Sequence, residues 1–117
     1  MVKSKRTQAL AKTAFGGIDT WIFDLDNTLY PVECQLFEQV DRRMTAFIAD
    51  HFAMAEDAAR KLQKDYWKRY GTTLKGLMLH HDIAPETFLD FVHQIDLSLL
   101  PDSPQLKTAI ERLPGRK

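Results

Sequence analysis

Two acids one residue apart, Asp24 and Asp26, follow directly on the apolar run Thr20-Trp21-Ile22-Phe23. Burying one carboxylate beside apolar side chains is costly, and burying two close together costs more, unless a cation neutralises them. The pair therefore asks for a hard, oxygen-preferring ion such as Mg²⁺, which is commonly held by one or two carboxylates with waters and a substrate phosphate. With a phosphoryl group held there, one aspartate can attack phosphorus. The other can protonate the leaving oxygen and then activate water to split the aspartyl-phosphate. A calcium loop starting at Asp24 is excluded, because Leu29 stands where the EF-hand needs glycine and Gln35 where it needs glutamate.

The elements around the pair follow from periodicity. Residues 20–25, after the turn signal Gly16-Gly17, are nearly continuously apolar and rich in aromatic and β-branched side chains, which predicts a strand buried on both faces. Ligands in parallel α/β sheets sit beyond the carboxyl ends of strands, and alternation would put Asp24 and Asp26 on one side if the strand geometry persists through them. From Cys34 to Phe52 the residues Phe37, Val40, Met44, Phe47, Ile48 and Phe52 recur at helical spacing. Residues 55–70 repeat the pattern with Ala58, Ala59, Leu62, Tyr66 and Tyr70, and Glu56/Arg60, Asp57/Lys61 and Asp65/Arg69 are acid-before-base pairs at i,i+4. Gly71 closes that helix. Thr72 or Thr73 caps a short third helix, Pro85 opens a fourth, and Ser103-Pro104 opens a last one carrying Leu106, Ala109, Ile110 and Leu113. One strand alone leaves its backbone groups unpaired on both edges, so its partner strands are not in this sequence.

Composition excludes several classes. The 117 residues carry 16 basic and 16 acidic side chains, 44% apolar residues and one cysteine, Cys34, so no internal disulfide and no collagen-like or low-complexity chain is possible. No apolar run approaches the roughly eighteen residues of a membrane span. Lys3, Lys5, Arg6 and Lys12 all precede the first acid, Asp19. Without a signal-peptide apolar core or interleaved aromatics, these read as a solvated basic arm, in a cytoplasmic protein that binds neither membrane nor nucleic acid.

The run Trp21-Ile22-Phe23-Asp24-Leu25-Asp26-Asn27-Thr28-Leu29-Tyr30-Pro31 resembles the first motif of the haloacid dehalogenase-like (HAD) hydrolase superfamily. Asn27, Tyr30-Pro31 and Tyr70-Gly-Thr-Thr-Leu-Lys-Gly-Leu77 are similar to its pyrimidine 5′-nucleotidase-type branch. The resemblance implies an α/β Rossmannoid fragment, largely helical as it stands, with one core strand and a helical cap. It implies a flexible arm at 1–17, first strand and catalytic loop at 18–32, cap at 33–100, and a helix returning to the core at 101–117.

It also implies Asp24 as nucleophile and Asp26 as general acid/base, with the Asp24 carboxylate and the Asp26 backbone carbonyl on Mg²⁺. An acid at position 26 favours phosphoryl transfer over carbon–halogen chemistry. Thr28, Thr73 and Lys75 become candidates to contact a small phosphorylated substrate, a nucleoside monophosphate or another phosphate ester. By the same resemblance the chain ends before the second motif, so a phosphate-binding Ser or Thr, a charge-steadying Lys and further metal-binding acids would lie beyond Lys117, and the 117-residue chain would have little or no activity alone.

Other features have plainer readings. His80-His81-Asp82 fits a polar helix end better than a metal cluster, since neighbours on a helix diverge by about 100°. Tyr66 and Tyr70 fit helix packing, whereas Trp67 lies off that face and could stack on a base. Cys34 reads as a packed or surface thiol. The alternative to an enzyme is a helical interaction module, with oligomers forming through the unpaired strand and exposed apolar helix faces.

Overall fold

The computed structural model describes residues 14–117. These fall in two compact units: a helical one, Tyr30–Pro101, and a smaller one joining the described residues up to Leu29 with Asp102–Lys117. The basic residues expected to form the N-terminal arm lie outside the described residues. No helix among the described residues is long and apolar enough to cross a membrane.

The helical unit contains a 3-10 turn, Val32–Cys34, followed by α1 (Leu36–His51), α2 (Glu56–Tyr70), α3 (Thr73–His81) and α4 (Pro85–Val92). Pro85 occupies the first turn of α4, where its missing N–H costs nothing. The Thr72 hydroxyl caps α3 by accepting from the Lys75 amide at 3.1 Å. Gly71 ends α2 at φ 85°, a conformation that a Cβ penalises.

The unit's core is Phe47, Ile48, Ala59, Tyr66, Leu77, Ile83, Phe88 and Val92. Each large apolar side chain removed from water here contributes on the order of 1.5–3 kcal/mol. Phe88 and Phe91 meet the Phe47 ring edge-on at 5.1 and 5.5 Å. The Arg43 guanidinium lies 4.1 Å from the Phe91 ring centre while its Nε donates to the Phe91 carbonyl.

A polar strut pins α1 to α2. Gln63 is fully buried; it accepts from the Thr45 hydroxyl at 2.5 Å and donates to the Asp41 carboxylate at 2.8 Å. Lys64 and Arg60 also reach Asp41, at 2.6 and 3.4 Å. Of the three i,i+4 pairs expected on α2, Asp65/Arg69 closes at 3.0 Å, whereas Arg60 turns to the facing helix.

The α/β fold class is overturned: the described residues contain five α-helices and no strand or sheet. The segment expected to be a doubly buried strand is open, with Ile22 95%, Leu25 57% and Phe23 39% exposed. Its only ladder contact among the described residues is one parallel bridge, Thr20 to Arg116. The reason is pairing. Apolar, β-branched residues favour a strand only where neighbours complete the ladder and cover the faces, and one bridge does neither.

In the smaller unit, Trp21 N–H donates to the Arg116 carbonyl and Arg116 N–H to the Asp19 carbonyl, each at 2.8 Å. The Trp21 indole N–H donates to the Pro114 carbonyl, also at 2.8 Å. Gly115, at φ 89°, permits this approach, because a Cβ there would strike the Asp19 carbonyl. The last helix, α5 (Pro104–Glu111), buries none of its residues.

Candidate active site

The chain after Phe23 does not continue extended through both acids. Thr28 N–H and Leu29 N–H both donate to the Leu25 carbonyl, at 3.2 and 3.0 Å, so the backbone folds into a turn directly after Asp24. Asn27 takes the left-handed conformation at φ 53°, which Asn tolerates better than most residues. Asp26 and Asn27 are thus turn formers where alternation would have required strand. The expectation that strand geometry carries both acids to one side fails for this reason.

What relates the two acids is Thr28. Its hydroxyl donates to Asp24 Oδ2, and the Asp26 carbonyl lies 3.4 Å from the same hydroxyl oxygen. A hydroxyl donated to a carboxylate is a charge-assisted bond, and it fixes the orientation of the Asp24 carboxyl group. Asp24, Asp26 and Thr28 are all exposed on this turn, so a ligand from solvent can reach them. The side-chain partner of Thr28, a residue expected to contact substrate, is Asp24.

The remaining candidates belong to the helical unit. Thr73 is buried, and its hydroxyl donates to the Gln63 carbonyl at 3.0 Å. Its role is to dock the start of α3 on α2. Lys75 is exposed on the first turn of α3. Thr72 serves as the cap of that helix. His80 and His81 are exposed at the end of α3, paired with the Tyr70 and Tyr66 hydroxyls at 2.5 and 2.6 Å. Burial pushes the Tyr66 hydroxyl above its usual pKa, Tyr70 and Asp65 adding to the effect and Arg69 opposing it. Cys34 is buried.

The donor set of the turn fits Mg²⁺ in one mode. Among the described residues no group of three or more His, Cys, Asp or Glu is arranged around one point, so a closed protein cage is absent there. An oriented carboxylate with a backbone carbonyl close by suits an ion whose other ligands are waters and a phosphate oxygen. Asp24 and the Asp26 carbonyl would hold it.

Sequence reasoning had no means of finding the Asp41–Gln63–Lys64 cluster, because glutamine at a helix position gives no periodicity signal and Asp41 reads as a solvated residue. A cleft of about 420 Å³ lies beside it, lined by Phe37, Met44, Trp67 and Thr72 among others.

No protein-family model matches the chain. The chain is 28% identical over 86 residues to Phosphate metabolism protein 8 of Saccharomyces cerevisiae, an alignment covering 70% of this chain and 27% of that protein. The chain therefore spans about a quarter of the length of this curated relative.

Proposed function

We propose that the chain carries the nucleophile and the general acid/base of a Mg²⁺-dependent phosphohydrolase, acting on small phosphate esters with a nucleoside monophosphate as substrate class. The observation that carries this reading is the Thr28 hydrogen bond, which orients the Asp24 carboxylate on an exposed turn shared with a second acid. The motif's resemblance to HAD hydrolases and the similarity to a protein named for phosphate metabolism both support it.

An Asp24 carboxylate oxygen attacks phosphorus as the bond to the ester oxygen breaks, and the Asp26 carboxyl group gives that oxygen its proton. Asp26, now a carboxylate, takes a proton from water, which attacks phosphorus and returns Asp24 with release of phosphate. Thr28 keeps the attacking carboxyl group from rotating, which lowers the cost of reaching the reactive geometry. Bound Mg²⁺ would offset the charge of two carboxylates and a phosphoryl group in one place.

Beryllofluoride with Mg²⁺ mimics an aspartyl-phosphate, so ¹⁹F NMR provides the test. A bound signal that requires Mg²⁺ and disappears in Asp24→Asn is the expected result. No bound signal, or one unchanged in Asp24→Asn, contradicts the assignment. The competing reading, a non-enzymatic helical module, draws on the separate core of Tyr30–Pro101 and predicts no bound signal.

A further inference from the structure

The outer side of α2 carries an open groove of about 630 Å³. Met54, Ala58 and Leu62 give it an apolar surface, and Lys61 and Lys68 stand along it as cations. The other charges there are already matched, since Lys64 reaches Asp41 at 2.6 Å and Arg69 reaches Asp65 at 3.0 Å. Among the described residues neither Lys61 nor Lys68 makes an ion pair, and both are exposed. Asp57, which the i,i+4 pattern offers to Lys61, accepts instead from the Ala58 amide at 2.8 Å. The groove is therefore apolar with positive charge to spare.

The opposite charge lies on the same helical unit. From Gly76 to Pro101 there is no lysine or arginine, whereas Asp82, Glu86, Asp90 and Asp96 all fall in that stretch. Asp96 is engaged by Ser98, and Asp82 ends α3. Glu86 and Asp90 are exposed one turn apart on α4, and among the described residues neither carboxylate has a partner. Leu89, 41% exposed, shares their side of the helix, because residues three apart are neighbours there. α4 thus presents an acidic ridge with an apolar knob, the converse of the groove on α2.

One copy cannot close this pairing on itself. α2 and α4 stand diagonally in the unit, each packed on α1 and α3, so their outer faces look away from each other. Two copies can close it. The chain carries 16 acidic and 16 basic side chains, so no net charge holds two copies apart. A small polyanion suits the groove less well, because its apolar surface would go unused and the Asp65 carboxylate on its wall would repel the ligand.

We propose that the α2 groove of one copy receives the α4 ridge of a second copy, with Leu89 on Met54, Ala58 and Leu62 and with Glu86 and Asp90 against Lys61 and Lys68. Complementary charge fixes the register of such a contact. The contact is heterologous: the first copy keeps a free ridge and the second a free groove, so assembly continues unless the rotation closes a ring. Exposed ion pairs are individually weak and are screened by salt, so association is expected at high protein concentration and low ionic strength. It uses neither Asp24 nor Asp26, and its fate is independent of the phosphohydrolase reading.

Sedimentation velocity of the 117-residue chain, up to roughly millimolar protein, tests it. The expected result is a sedimentation coefficient that rises with concentration at low salt and falls back toward the monomer value in about 0.5 M NaCl, where the screening length is roughly 4 Å. Lys61→Glu/Lys68→Gln and Glu86→Gln/Asp90→Lys each stay monomeric, and their equimolar mixture associates again, because each supplies the face that the other has lost. All four positions are exposed, and the reversed charges avoid the helix ends where the macrodipole would oppose them, so both variants fold, which far-UV circular dichroism checks. Carbodiimide cross-linking of a ¹⁴N/¹⁵N mixture of the parent chain reads the same contact without substitutions, as mixed-isotope links from Lys61 or Lys68 to Glu86 or Asp90. The proposal is overturned if the parent stays monomeric, if its association is unchanged by salt or by either variant, if the mixture fails to regain it, or if the mixed-isotope links join only other residues.

Discussion

At the scale of single residues, the account rests on one hydroxyl and two carboxylates. Thr28 donates to Asp24, and no comparable bond from this hydroxyl reaches the Asp26 carboxylate. Asp24 is the group this hydroxyl orients, and the proposed mechanism gives it the attack and gives Asp26 the proton transfer. The roles predict different phenotypes. Asp26→Asn still accepts a phosphoryl group at Asp24 from a reactive donor with a good leaving group, but releases it about 10²–10⁴-fold more slowly, because no base activates water. Rapid-quench measurement of phosphoenzyme decay checks this; decay at the parent rate would assign the proton transfer to another group. The acids themselves were legible from residue type and spacing. Their geometry was not, because it is set by Asn27 at positive φ and by Thr28, which alternation along a strand does not describe.

At the scale of elements, periodicity located every helix of the Tyr30–Pro101 unit to within a few residues, since helical propensity, capping and pattern agree there. It misassigned individual faces. On α1, Leu36 is buried and Phe37 exposed; on α2, buried Gln63 takes a place on the core-facing side that the pattern gave to Ala58 and Leu62. A glutamine that satisfies three partners is invisible to a hydrophobic pattern. The strand failed for the opposite reason: its residues had the right propensity, but pairing is supplied by other elements.

The α2–α3 contact offers a sharp test. Gly76 lies directly against the Tyr66 ring, so an added Cβ would overlap it. Overpacking costs about 1–3 kcal/mol, against a gain of at most ~1 kcal/mol from alanine's better helix propensity. Because the obstacle is the near end of a rigid ring, the clash wins. Gly76→Ala lowers the stability of the chain by roughly 1–2 kcal/mol in urea unfolding. A neutral or stabilising result would show that α3 can shift away from Tyr66 at little cost.

At the scale of the whole molecule, the described residues divide into two units of different character. The Tyr30–Pro101 unit has a continuous apolar core, whereas the other buries none of the residues of α5 and leaves Ile22 almost wholly exposed. Stability is therefore expected to reside in the helical unit, and Tyr66 contributes to its loss at alkaline pH. Burial raises the pKa of this hydroxyl above the usual 10.0, so the folded state holds the proton more tightly than the unfolded one. That contribution is fully present below the usual tyrosine value and is lost as pH rises through the raised one. Thermal unfolding across this interval shows a falling midpoint that Tyr66→Phe makes shallower; an identical slope in both proteins would exclude Tyr66 as the source.

The similarity to a phosphate metabolism protein bears on the same question of what the whole chain does, and it covers about a quarter of that protein's length. The central claim is that Asp24 accepts a phosphoryl group. The most direct measurement is peptide mass spectrometry after a brief incubation with acetyl phosphate and Mg²⁺, quenched in acid. The account predicts a single transfer from this activated donor to Asp24, without turnover of a phosphate ester, since little or no activity is expected of the 117-residue chain alone; the transfer depends on Mg²⁺ and is absent in Asp24→Asn. A phosphoryl group on any other residue, or none under conditions where beryllofluoride binds, would contradict it.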